Sequence, residues 1–137
     1  MASIIDYGST YISTNTFPGI LVRGSREIAT TNVYINPQNP ASYSARVELK
    51  ASIGFYASHF LNKQPANIYI LRFGIPIYSA AISLQPKPES QIATVIAIEG
   101  AVPGLQHYQL VVETFASSDT EVFVRGPIAF SATVIGI

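Results

Sequence analysis

Cysteine is absent from this sequence, which excludes a disulfide framework, a thiolate zinc site and a cysteine nucleophile and leaves the redox compartment open. Charge is scarce as well. Charged residues make up 12% of the chain against 48% hydrophobic ones, about half the ~25% charge usual in soluble domains, so much of the surface is expected to be covered. Eight Lys and Arg balance eight Asp and Glu. With no net field to draw phosphates or an anionic bilayer, neither nucleic acid nor a membrane is expected as a partner. Titratable groups are few: His59 and His107, Asp6 and Asp119, and six Glu spread one to a segment. They form no paired-carboxylate cluster, Ser-His-Asp spacing or G-x-S-x-G elbow, so no enzyme is expected. The histidines lack H-x-x-x-H spacing and no calcium loop is present, so neither a metal nor a cofactor is expected.

Tryptophan is missing too, and without a Trp and a Cys pair there is nothing to mark an immunoglobulin-type sandwich. What is present is period-two alternation. In "ARVELKASIGF", residues 45–55, Ala45, Val47, Leu49, Ala51, Ile53 and Phe55 alternate with Arg46, Glu48, Lys50, Ser52 and Gly54, the pattern of a strand with one dry and one wet face. Further strand-like runs lie at about 27–35, 66–73, 76–84, 91–99, 105–116, 120–125 and 128–135, separated by "NPQNP", "NKQP", "FGIP", "QPKPES", "EGAVPG", "ASSD" and "RGP". Only "YASHFLNKQ" at 56–64 offers a helical turn. The expected fold is all-β: a two-sheet antiparallel jelly-roll sandwich of about eight strands over residues 27–137.

Residues 1–26 are polar and punctuated by Pro18 and Gly19, with weak alternation at 10–16. They are expected to form an extended N-terminal arm, with Tyr11, Ile12 and Phe17 as contacts that fix its register on a neighbouring sheet edge. A disordered tail or an intramolecular edge strand fits the same residues. The opening "MASIIDYGSTYIST" has no basic segment followed by a long apolar run, so no conventional secretory signal is expected.

Several strands are apolar on both faces. In 67–84, "NIYILRFGIPIYSAAISL", the one charge is Arg72. Gly74 and Pro76 rule the stretch out as a membrane span. Ile68 and Ile70 alternate there with Tyr69, Leu71 and Phe73, and Val111 and Phe115 sit opposite Leu110 and Val112 in parity. A sandwich has a single core, so the second face requires a partner. Tyr69, Leu71, Phe73, Val111 and Phe115 are therefore expected to be buried between copies of the chain, with a trimer as the expected homo-oligomer. Eight Tyr and seven Phe also suit a carbohydrate-stacking platform, and a viral or phage capsid or fibre domain shares the same physics.

The ordered set "ARVELKASIGFYAS", "ANIYILRFGIPIYSA", "AIEGAVPGLQHYQLVVE" and "EVFVRGPIAFSATVIGI" resembles structural proteins of the spore surface of endospore-forming bacteria, exosporium proteins and appendage subunits, which are similar in turn to the tumour necrosis factor-like trimeric jelly roll. The resemblance covers about residues 43–137. It implies a non-enzymatic trimer on the spore surface, outside the cell body, that stacks into a coat or fibre through N-terminal segments and is anchored by another spore-surface protein. The chain departs from that pattern in having no Gly-X-Y region, no cysteine for cross-links and no recognisable exosporium-targeting motif.

Overall fold

The computed structural model describes residues 3–12, 19–40, 44–58, 64–84, 90–115 and 121–136. They form nine strands: β1 (Ser3–Ile12), β2 (Ile20–Val22), β3 (Gly24–Ile35), β4 (Arg46–Ser58), β5 (Gln64–Arg72), β6 (Ile75–Leu84), β7 (Ser90–Gly100), β8 (Gly104–Thr114) and β9 (Glu121–Gly136). One sheet has the order β1-β9-β4-β7, with β2 also on β9; the other has the order β3-β8-β5-β6. Every pairing is antiparallel. The pairs β2·β9, β3·β8, β4·β7 and β5·β6 nest inside one another like a folded ribbon, which is the jelly-roll topology.

The alternation read from the sequence is the alternation that packs. Val47, Leu49, Ala51, Ile53 and Phe55 of β4 point inward with Ile128, Phe130, Ala132 and Val134 of β9. Across the core they face Ile68 and Ile70 of β5 and Tyr108, Leu110 and Val112 of β8. Fully burying such side chains contributes about 1.5–3 kcal/mol apiece.

Two boundaries differ from the sequence expectation. The runs at 120–125 and 128–135 are a single strand, β9, that continues through Gly126 and Pro127. A register shift opposite Ser52 to Gly54 of β4 leaves residues 126–128 off that ladder, and on the other side β1 and β2 pair only with residues beyond Pro127 or before it. The proline thus sits within a central strand where no ladder hydrogen bond is asked of it.

The second difference is at the N-terminus. Residues 3–12, expected in an arm, form β1 and pair with β9 of the same chain from Ser3↔Gly136 to Ile12↔Ile128, while the expected boundary at 26/27 falls inside β3. The physical reason is local. Asp6 Oδ2 accepts from the Tyr34 N–H at 2.6 Å and the Thr10 hydroxyl donates to the Thr30 carbonyl, so β1 is held by β9 on one side and by β3 on the other. Gly8 permits that approach, since a Cβ there would collide with the Asn32 carbonyl oxygen and Thr31 Oγ1. Of the expected helical turn, Tyr56 to Ser58 belong to β4 and the remainder lies outside the described residues.

The sandwich is therefore closed along β1 and β3. Along β6 and β7 it is open, and both strands are edges.

Candidate functional site

Four of the five residues expected between subunits lie together on the outer face of the β3-β8-β5-β6 sheet. Tyr69 is in register with Val111, and Leu71 follows on β5 opposite Gln109. Phe73 stands at the tip of the β5–β6 hairpin, and Phe115 just follows β8; both are exposed. Tyr69, Leu71 and Val111 are half-buried.

The same face carries a hydrogen-bonded polar ladder that the sequence did not announce. Glu113 accepts from Asn67 Nδ2 at 3.3 Å and Tyr69 Oη at 3.1 Å on one carboxylate oxygen, and from Ser25 Oγ at 3.1 Å on the other. Asn67 and then Ser25 hold the Glu113 carboxyl below the usual carboxylate range, and the bond to Glu113 raises the Tyr69 hydroxyl above its usual value. Gln109 Nε2 donates to Glu27 at 2.8 Å while its Oε1 accepts from the Gly74 N–H at 2.7 Å. His107 Nδ1 lies 2.6 Å from Asn32 Oδ1. These pairs come from β3, β8 and β5 in register, so the strand spacing that sets the apolar row also sets the ladder.

That ladder braces the hairpin tip. Phe73 and Gly74 both have positive φ, 48° and 80°, as the two central residues of a type I′ turn require. The Phe73 N–H donates to the His107 carbonyl at 3.0 Å, its ring lies 6.1 Å from the His107 ring, and Gly74 is tied to Gln109. Glycine adopts that conformation freely, whereas a phenylalanine there costs on the order of 1 kcal/mol. The result is a bulky aromatic, 57% exposed, beside a still more exposed Ile75.

Phe73 and Ile75 belong to a larger apolar end. The β5–β6 turn, the β7–β8 connection, the end of β3 and the start of β1 converge there by register, and Ile4, Tyr34, Ile98, Val102 and Leu105 are exposed on it as well. The far end exposes Tyr11, Ile92 and Phe115. Along the open side, β7 turns Ile92, Ile96 and Ile98 outward in alternation with Ala93, Val95 and Ala97.

Between the sheets, near the apolar end, a charge pair is partly buried. Arg72 Nη1 is 2.7 Å from Glu99 Oε1, and the hydroxyl of the fully buried Tyr108 donates to the same oxygen at 2.8 Å. Burial, and then the bond to Glu99, push the Tyr108 hydroxyl well above its usual value. Arg72 was visible as the lone charge of its stretch; a charge in an apolar run needs a partner, and that partner is on a strand remote in sequence.

Tyr11 and Ile12, expected as arm contacts, are on β1: Tyr11 is exposed opposite Ala129, and Ile12 packs against the core opposite Ile128. Phe17 and His59 lie outside the described residues. Among the described residues no three His, Asp or Glu side chains converge as a metal site. A notch of about 250 Å³ in the open side, at the far end, is lined by Phe55, Ile82, Leu84, Ile92, Ala93 and the polar Ser83, Gln91 and Thr94. A second of about 340 Å³, nearer the apolar end, includes Ile77, Tyr78, Ile96, Ile98 and Glu99.

No protein-family model and no curated protein sequence matches the chain. Among solved structures it is similar to dimeric latent PorU from Porphyromonas gingivalis, with 12% identity and a TM-score of 0.54 over 98% of this chain and 13% of that one. At that identity the likeness shows the β-sandwich fold alone, in a protein of which this chain spans a small part.

Proposed function

We propose that this chain is a non-catalytic, self-assembling structural subunit of a bacterial spore surface layer or appendage fibre, built from trimers. The observation that carries this is the apolar surface left outside the core. The large hydrophobic side chains exposed at the hairpin end, on the outer faces of both sheets, together amount to on the order of 700 Å², and extensive exposed apolar surface marks interaction sites. Covering them at about 25 cal/mol per Å² stabilises an assembly by on the order of 15 kcal/mol before the entropy of association is subtracted. Copies of the same chain are the simplest cover, because closed symmetry reuses one set of patches in every subunit.

The spore setting rests on the sequence resemblance. A linking role for residues 1–26 asks β1 to give up its ladder on β9 for the same ladder on a neighbour, an exchange with no net change in backbone hydrogen bonds. A carbohydrate platform is less well supported, because the polar groups beside Tyr69 and Phe73 are engaged with one another.

Negative-stain electron microscopy with mass photometry of the purified chain tests the assembly, and immunogold labelling of intact spores tests the location. Fibres or ordered arrays of discrete trimers are expected. A uniform 14.8 kDa monomer at all concentrations would overturn the proposal.

A further inference from the structure

We infer that copies of this chain join head to tail, with the Phe73 hairpin tip of one copy seated in the notch at the far end of the open side of the next. This deepens the self-assembly proposal above and rests on it. Three features of the molecule point to it. The tip is preorganised: a phenylalanine is held in a positive-φ turn by His107 and Gln109 and kept exposed, and strain retained in this way marks a position selected for something other than folding. The notch lined by Phe55, Ile82, Leu84, Ile92 and Ala93 is about 250 Å³, larger than the ~150 Å³ apolar cavity that takes up benzene, so a phenyl ring fits with room for part of Ile75.

The third feature is charge and placement. Among the described residues no charged side chain lines that notch, whereas the second notch of the open side includes Glu99. An uncharged aromatic knob therefore favours the first. Ile75 and Leu84 terminate β6, roughly 30 Å apart at about 3.3 Å per residue, so knob and hole lie at opposite ends of one hairpin. A contact between two different patches is heterologous, and when its rotation does not close a ring it propagates a polar filament. Phe73 and Ile75 themselves expose on the order of 200 Å², and the other hydrophobic side chains exposed at that end bring the total to on the order of 700 Å², against the ~800 Å² that one partner contributes to a standard interface. The occupant is accordingly a second copy of the same chain.

A pair of complementary variants tests this. Phe73→Asn removes the knob and installs Asn-Gly, the preferred type I′ pair, so it folds. Ile92→Lys blocks the hole at a side chain that is 72% exposed, so it folds too. Measured by mass photometry and electron microscopy, each variant alone is expected to lose every species above the basal oligomer. A mixture of the two should form 1:1 pairs of that oligomer, knob from one and hole from the other, and go no further. If both variants still polymerise like the parent chain, the knob-and-hole contact is wrong while self-assembly stands. Closed dimers of Ile92→Lys overturn it in favour of the Glu99 notch, and a parent chain that is monomeric at every concentration overturns both proposals.

Discussion

Replacing Glu99 with alanine probes a side-chain charge pair that joins the two sheets. Its Oε1 accepts from Arg72 at 2.7 Å and from Tyr108 at 2.8 Å. Tyr108 is fully buried, so its hydroxyl would be left without a partner or water, at a cost of about 1–3 kcal/mol. The Arg72 side chain is 32% exposed, and after solvent screening its lost ion pair adds only on the order of 0.5 kcal/mol. We expect Glu99→Ala to lower the unfolding free energy by about 2–3 kcal/mol, and Tyr108→Phe, which leaves Glu99 paired with Arg72, by about 1 kcal/mol. Both changes delete the same hydrogen bond, so the double variant should fall short of their sum by about 1 kcal/mol. Urea unfolding followed by circular dichroism gives all three values, with an unchanged slope as the check on two-state behaviour.

The alkaline limb gives an independent reading of the same contact. Tyr108 is shifted upward by burial first and by Glu99 second, so its folded value exceeds the unfolded one of about 10. That stabilisation is fully present below pH 10 and is lost as the pH rises toward the folded value. Tyr108→Phe should flatten the decline, leaving the smaller share that belongs to Tyr69. Strict additivity of the two substitutions, or a Glu99→Ala loss under about 0.5 kcal/mol, would falsify the bridge.

Other perturbations have equally definite outcomes. Phe73→Asn should raise stability by about 1 kcal/mol, because Asn tolerates the positive φ that Phe73 adopts; a thermal midpoint equal to or below that of the parent chain would contradict the strain assigned to the turn. The Glu113 carboxyl is lowered by Asn67 and Ser25, so its contribution is present above the unfolded value of about 4.3 and lost as the pH falls through the folded value. The stability gap between the parent chain and Glu113→Gln should therefore narrow on acidification below about pH 4, as followed by unfolding at a series of pH values. Gly8→Val should displace β1 from β3, since its Cβ meets the Asn32 carbonyl. Hydrogen exchange is expected to accelerate in residues 3–12 and 128–136 while Leu49 and Leu110 stay protected. Deleting residues 1–20 should leave a folded oligomer that no longer polymerises if β1 exchanges between copies; filaments that persist would exclude that exchange.

How far the sequence revealed this molecule depends on the range of the interaction concerned. Alternation in 45–55 is local and strong, and it located β4 and its inward residues directly. The outward apolar row of β5 was legible for the same reason, because residue parity alone puts Tyr69 and Leu71 on one face, while Phe73 takes its place from the positive-φ turn. What decided between an arm and an edge strand at the N-terminus was not local: Asp6 reaches Tyr34 and Thr10 reaches Thr30, contacts between side chains and backbone that leave no periodic trace. "RGP" has the composition of a turn, and only the bulge opposite β4 makes it part of a strand. The polar ladder was hidden because Glu27, Asn67, Gln109 and Glu113 look like isolated solvent-facing residues until three strands align them. The exposed isoleucines of β7 show the limit most clearly. Ile92, Ile96 and Ile98 and their alternates Ala93, Val95 and Ala97 are both apolar sets, and period two cannot rank them. Side-chain size would suggest the isoleucines as core, yet the structure turns the smaller set inward. Choosing the small residues for the inside leaves the large ones exposed along the open side between β6 and β7.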